Sequence, residues 1–239
     1  MAPLKAVIFD IGATLVTGPP VAPNKVIAGL LGNATAAEVA SVIMTTPLES
    51  AEHACAVLTS AFGELSSDAR DGIMTLWDSQ YKAAQEIDGA SQAVLELKKL
   101  GLSIGLLSDI WTPYYESVER ALPQVVRAAD AVVLSFRTGR RKPDNANFLR
   151  VLSDLAAEPH EAVMVGDTYE HDIQPAIELG MHTVWVLARP DREINAITRV
   201  LNREAPAPSV TVRSISDVPS AITDIMSTFK EHVEWISNT

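Results

Sequence analysis

Lys5-Ala6-Val7-Ile8-Phe9-Asp10-Ile11-Gly12-Ala13-Thr14-Leu15-Val16 opens with a short apolar run that ends on a carboxylate. The run from Lys5 to Phe9 has the β-branched, apolar composition of a strand buried on both faces in the middle of a parallel sheet. Asp10 therefore falls at a strand end. The small residues Gly12 and Ala13 let the backbone fold back over it. In an open parallel sheet, ligands bind beyond the carboxyl ends of the strands. The stretch thus suggests a fold class and a place where chemistry can occur.

Outward from this strand the character changes. From residue 21 to about residue 87 the sequence is alanine-rich, with helical periodicity and no strand signal, and Gly18-Pro19-Pro20 marks the entrance. Helices are expected at 24–31, 36–45, 48–62 and 67–86. After Asp88-Gly89, strands and helices alternate as in successive right-handed βαβ units, with strands at 102–107, 131–135, 162–165 and 183–187. Thr112-Pro113 has the N-cap and N1 pairing of a helix start, and 137–144 has the composition of a polar turn. The last fifty residues predict a helix at 193–203, an edge strand at 209–212 and an amphipathic helix at 218–235. The expectation is an α/β chain with a Rossmann-like core, residues 1–17 and 88–239, interrupted after its first strand by a helical unit, 18–87.

Chemistry-bearing residues recur at the predicted strand ends: Asp10, then Ser108-Asp109, Lys142-Pro143 and Gly166-Asp167-Thr168-Tyr169-Glu170-His171-Asp172. Each has an ordinary reading. Asp10 can be a turn residue, Ser108 a helix-entry serine, Lys142 part of a solvated Arg140-Arg141-Lys142 run, and Asp167 or Asp172 a cap. Together they set a nucleophile, a hydroxyl, a cation and further carboxylates around one cavity. A carboxylate attacking a phosphate dianion meets charge repulsion, so such a site needs cations, and a hard ion such as Mg²⁺ suits oxygen donors.

In this order the four stretches resemble the motifs of the haloacid dehalogenase-like hydrolases, over roughly residues 5 to 190. The resemblance implies sheet order 5-4-1-2-3 and a C1 cap that closes over the site. It also implies Mg²⁺-dependent hydrolysis of a small phosphorylated metabolite through an aspartyl-phosphate. Asp10 would be the nucleophile. Asp10, Asp167 and the backbone carbonyl of Gly12 would hold the metal with support from Asp172, and Ser108, Asp109 and Lys142 would meet the substrate. Gly12 departs from the family's usual pattern, which places there a second aspartate that protonates the leaving group. Some sugar-phosphate phosphatases of the family look similar at this position. A metal-independent haloacid dehalogenase, a phosphonate hydrolase and a catalytically weak anion- and metal-binding regulator remain as alternatives. His171 is the nearest replacement acid, and Lys25 and Lys82 are the lysines of the insertion.

The totals narrow the partners. At 239 residues the chain can bury a sizeable core, while a net charge of -11 argues against nucleic acid or an anionic membrane surface. The single cysteine, Cys55, cannot form an internal disulfide and is expected as core filler in a reducing compartment. No signal peptide or membrane span is evident, so the expected location is cytoplasmic.

Overall fold

The computed structural model describes residues 4–237, so the outermost ends of the expected core, 1–3 and 238–239, lie outside the described residues. At its centre is a parallel sheet of six strands: β1 (Ala6–Phe9), β2 (Ser103–Ser108), β3 (Ala131–Leu134), β4 (Ala162–Gly166), β5 (His182–Val186) and β6 (Val210–Val212). Their spatial order is β3-β2-β1-β4-β5-β6. The chain thus starts in the middle, builds to one side, then returns past β1 to build to the other. This reversal leaves a crevice between β1 and β4 at the carboxyl ends of the strands.

Register brings the strand ends together. Phe9 is level with Leu106 of β2 and Val165 of β4. Asp10 is therefore one residue beyond that line, and Ser108 and Asp167 are two beyond it. Alternation along β1 sends Val7 and Phe9 into one core layer and Ala6 and Ile8 into the other. The first layer is covered by α5 (Ala90–Lys99), α6 (Thr112–Ala121), α7 (Pro123–Ala128) and α12 (Val218–Ser237), and the second by α9 (Asn145–Asp154) and α10 (Gln174–Glu178). α8 (Ser135–Thr138) follows β3, and α11 (Ile194–Leu201) lies between β5 and β6.

Between β1 and α5 the chain forms α1 (Pro23–Leu31), α2 (Ala36–Ile43), α3 (Ala51–Phe62) and α4 (Ser67–Gln80). Their starts are locally specified: Thr35 and Glu38 form a capping box, and Ser50 and Ser66 cap α3 and α4. These helices bury a cluster of their own, including Ile27, Val39, Cys55, Leu58 and Trp77, which Trp111 joins from the sheet side. Cys55 fills core space there, as its isolation suggests. Among the described residues no single helix is long and apolar enough to cross a membrane.

Three local expectations are corrected. The helix expected over 67–86 stops at Gln80, and Gln85–Glu86 instead pairs antiparallel with Val16–Thr17. Glutamine and glutamate carry no strand signal, and here tertiary pairing decides the conformation. The ribbon brings the chain back to the point where it left the sheet. The N-cap of α6 is Trp111, not Thr112, and the Thr112 hydroxyl accepts the Leu48 backbone N–H at 3.2 Å. That side chain is used between units, not at the helix start. Finally, the expected polar turn at 137–144 begins as the tail of α8, which ends at Gly139 in the left-handed region, φ 71°.

Candidate active site

The turn after β1 is closed by its own backbone. Asp10 N–H donates to Val165 O (2.9 Å), Leu15 and Val16 N–H both reach Ile11 O (2.9 and 3.1 Å), and Ala13 N–H reaches Val16 O (2.7 Å). Ala13 takes the left-handed conformation, φ 61°. Gly12 does not, and a Cβ added there would meet nothing within 4 Å. The backbone therefore does not require glycine at this position, and the space in which an acid would stand is open.

Asp10 meets Lys142 beneath this turn. The buried Lys142 Nζ donates to Asp10 Oδ1 at 2.6 Å and to Asp172 Oδ1 at 2.5 Å, with Leu107 O at 3.4 Å. Three acceptors surround one ammonium, so its charge is committed on all sides, and the two carboxylates hold its pKa above the usual lysine range. The approach of Lys142 is fixed by its backbone N–H, which donates to Asp109 Oδ1 (2.9 Å), while Asp109 Oδ2 lies 3.3 Å from Arg141 Nε. The Lys142–Pro143 peptide is cis. Ser108 Oγ stands 3.4 Å from Asp10 Oδ1, a long and weak hydrogen bond. Both of these side-chain contacts fall on Oδ1, and the Ile11 backbone N–H also acts on the carboxylate.

The second acidic stretch reaches the same point. After β4, Tyr169–Ile173 winds as a widened helical turn in which Asp172 N–H bonds Thr168 O (2.8 Å) and Asp172 Oδ2 accepts the Thr168 N–H (3.0 Å). Gly166 makes room for this: a Cβ there would lie 2.4 Å from Asp172 Cβ. One oxygen or more from each of Asp10, Asp167 and Asp172 lies within 4.8 Å of the others, and all three residues are buried. Burial, only partly offset by Lys142, pushes the Asp10 carboxyl up to about 6. Burial likewise raises Asp167 and Asp172, against the lowering effects of Arg189 and Lys142 respectively. Three hard-oxygen donors this close, with their ionised forms disfavoured, make a set that a divalent cation fits.

The sequence reading missed Arg189. Its guanidinium is ion-paired with Asp167 Oδ2 although 22 residues separate them. Asp167 is further fixed through its carbonyl, which accepts Trp185 Nε1–H at 3.1 Å. No local pattern marks such a pair. Its only signal is that Arg189 lies just past β5, the strand beside β4. Adjoining this site is a cavity of about 1050 Å³, lined by Gly12, Asp109, Tyr114 and Arg189 of the core and by Lys25 of α1, while Asp10, Ser108, Lys142, Asp167 and Asp172 are not in its lining. Tyr114 donates its hydroxyl to Thr17 O (3.0 Å), and burial with the nearby Asp10 charge pushes its phenol up to about 12.

One sequence candidate falls elsewhere. His171 is exposed and sits with Nδ1 3.2 Å from Lys142 O. In the turn that aims Asp172 inward, its neighbour faces out. Trp77 and Tyr81 pack helices: Trp77 Nε1 donates to Tyr81 Oη (2.9 Å), and the Trp77 ring meets Trp111 edge-on at 5.5 Å.

Known proteins resemble this chain to different depths. A glyceraldehyde 3-phosphate phosphatase from Pyrococcus furiosus is 30% identical over 114 residues, 48% of this chain and 47% of that protein. The chain spans about half the length of the curated relatives it matches. Among solved structures, a HAD phosphatase from Thermococcus onnurineus aligns with TM-score 0.59 at 20% identity, covering 91% of this chain and 97% of that one. A 2-haloacid dehalogenase from Pseudomonas syringae pv. Tomato DC3000 aligns with TM-score 0.61 at 19% identity, over 92% and 99%. Both structures carry the fold, and at such identity the fold alone is what they share with this chain. The family model for haloacid dehalogenase-like hydrolases matches residues 4–180, the span that contains β1 to β4 and all four acidic and basic stretches. On that match, the chain belongs to the haloacid dehalogenase-like hydrolases.

Proposed function

We propose that this protein is a Mg²⁺-dependent phosphatase acting on a small phosphorylated metabolite. The observation that carries the proposal is the position of Asp10. Its Oδ1 is held 2.6 Å from Lys142 Nζ, while two further carboxylates stand within 4.8 Å beside a cavity of about 1050 Å³. A retained triad of acids favours the metal-dependent branches over the metal-independent dehalogenase alternative. The relative from Pyrococcus furiosus, named as a phosphatase of a small sugar phosphate, supports the same substrate class.

In this reading Lys142 and Ser108 fix Asp10 Oδ1, so that Oδ2 is presented to phosphorus. A bond forms from Oδ2 to phosphorus as the bond to the leaving oxygen breaks, giving an aspartyl-phosphate. Water then attacks this acyl phosphate, the phosphorus–Oδ2 bond breaks, and the carboxylate returns. Asp10, Asp167 and Asp172, with the Gly12 carbonyl, would hold Mg²⁺, which supplies positive charge against the transferring phosphoryl oxygens. Asp109 positions Lys142 through its backbone N–H. No side chain at position 12 donates or takes the proton, so the leaving group must depart largely unassisted. Residues 18–87, with α1 to α4, would serve as the cap over a core of 1–17 and 88–239, since α1 supplies one wall of the cavity and the Val16–Thr17/Gln85–Glu86 ribbon is a natural hinge point.

Asp10→Asn and Asp10→Ala test the reading. Both variants should fold, bind Mg²⁺ more weakly and lose turnover of aryl phosphates. Substantial activity in either, after removal of contaminating phosphatase, would overturn the assignment.

A further inference from the structure

The cavity lining is unlike the rest of the molecule in charge. The protein carries a net charge of -11, yet the cavity is lined by three cations, Lys25, Arg189 and Arg192, and by one acid, Asp109. That acid is already engaged, with Oδ1 on the Lys142 N–H and Oδ2 3.3 Å from Arg141. Arg189 is engaged as well, with Asp167. Lys25 and Arg192 remain, both exposed and neither in an ion pair among the described residues. They reach the same cavity from distant parts of the chain: Lys25 from the first turn of α1, and Arg192 from the short turn Pro190–Arg192 that follows β5. A cleft with low-dielectric walls focuses such a field onto whatever enters.

The reacting phosphoryl group belongs at Asp10, whose site adjoins the cavity through Gly12, Asp109 and Arg189, and a cavity of about 1050 Å³ exceeds what one phosphate fills. We infer that Lys25 and Arg192 form a second anion-binding subsite, and that preferred substrates carry a second acidic group, carboxylate or phosphate, on the part that leaves. This rests on the hydrolytic reading above for the identity of the first group. The subsite is complete only when both residues are present, so it reads the far end of the substrate and ties α1 to the core when it is filled.

The test compares phenyl phosphate, 4-carboxyphenyl phosphate and benzene-1,4-bisphosphate in the presence of Mg²⁺. The parent enzyme should show a KM at least about tenfold lower for the two compounds with a second acidic group than for phenyl phosphate, as charge-assisted hydrogen bonds of this kind allow. In Lys25→Ala and Arg192→Ala the ratio should fall toward one, and Arg192→Lys should keep most of it. Lys82→Ala, a lysine of the same insertion outside the cavity lining, should keep the parent ratio. The two compounds with a second acidic group separate a carboxylate from a phosphate preference. Calorimetry with benzylphosphonate and 4-carboxybenzylphosphonate reads the subsite without turnover. If the parent cleaves none of the esters but still prefers the carboxylated phosphonate through Lys25 and Arg192, the subsite stands and the hydrolytic reading falls. If the parent turns over with equal KM for all three esters, or if the alanine variants leave the ratio as it was, the subsite is overturned while the hydrolytic reading stands.

Discussion

Gly12→Asp is the perturbation that separates the chemistry of this chain from the common pattern of its family. A Cβ at position 12 meets no atom within 4 Å, and Gly12 is not among the residues with positive φ. The substitution should therefore cost little in packing, within about 0.5 kcal/mol for an uncrowded site. Its electrostatic cost is larger. A like charge about 5 Å away is worth roughly 3 kcal/mol at an effective dielectric of 20. The new carboxyl is thus pushed upward by its neighbours, in the same direction as Asp10, and holds its proton to higher pH. A proton held near neutrality is what a general acid requires, and such a group contributes roughly 10²- to 10⁴-fold, about 3–5 kcal/mol of barrier. That gain should appear where the leaving group is poor. The assay is kcat/KM across aryl and alkyl phosphates of graded leaving-group pKa, under conditions where chemistry limits the rate. The parent should show a steep dependence, and Gly12→Asp should flatten it by accelerating alkyl phosphates tenfold or more. A flat dependence in the parent would refute the reasoning, because another residue would then supply the proton. No acceleration in a folded, Mg²⁺-binding variant would refute it as well.

Three further outcomes follow from the same geometry. Lys142→Met removes the one ammonium shared by Asp10 and Asp172 and should destabilise the metal-free protein by about 3–5 kcal/mol. Urea denaturation should recover part of this loss when Mg²⁺ is added, and a loss below about 1 kcal/mol would contradict the packing described. Gly166→Ala drives a Cβ to 2.4 Å from that of Asp172, so it should cost at least about 1–3 kcal/mol and weaken Mg²⁺ binding by calorimetry. Asp10 is raised to about 6 in the metal-free protein, so its folded form favours the proton. The stability it contributes is present below the unfolded carboxylate range and lost as pH rises through about 6. Mg²⁺ must displace that proton, so its affinity should weaken progressively as pH falls below about 6, and a pH-independent affinity between 5 and 7 would exclude Asp10 as a ligand.

The parts of this molecule legible from sequence are those specified locally. The run ending at Asp10, the run ending at Ser108 and the run ending before Asp167 each announce a buried strand followed by a polar residue, and register in a parallel sheet does the rest. Thr35 and Ser66 announce helix starts by the same local logic, whereas the helix expected from Leu48 starts only at Ala51, after its cap Ser50. What sequence did not reveal is set by partners distant in the chain. Arg189 matters through Asp167, Thr112 through the backbone of Leu48, and Gln85–Glu86 through Val16–Thr17. His171 shows the converse: it stands inside the most informative acidic stretch, yet the turn that aims Asp172 inward leaves it exposed.

Charge balance connects the missing acid to the shape of the cavity. Asp10, Asp167 and Asp172 bring three negative charges within 4.8 Å, and Lys142 and Arg189 answer with two positive ones. A phosphate dianion approaching that site meets a surplus of negative charge, and a divalent ion reverses the sign. In its ionised form an aspartate at position 12 would cancel that net positive charge, inside a cavity also lined by the cations Lys25 and Arg192. Glycine keeps the field attractive for a substrate with two acidic groups, at the expense of help to its leaving group. The two effects are separable in one variant: Gly12→Asp should raise KM for benzene-1,4-bisphosphate more than for phenyl phosphate while it speeds the chemical step for poor leaving groups. A KM shift equal for both substrates would show that position 12 acts on the proton alone and that the cations lining the cavity are indifferent to it.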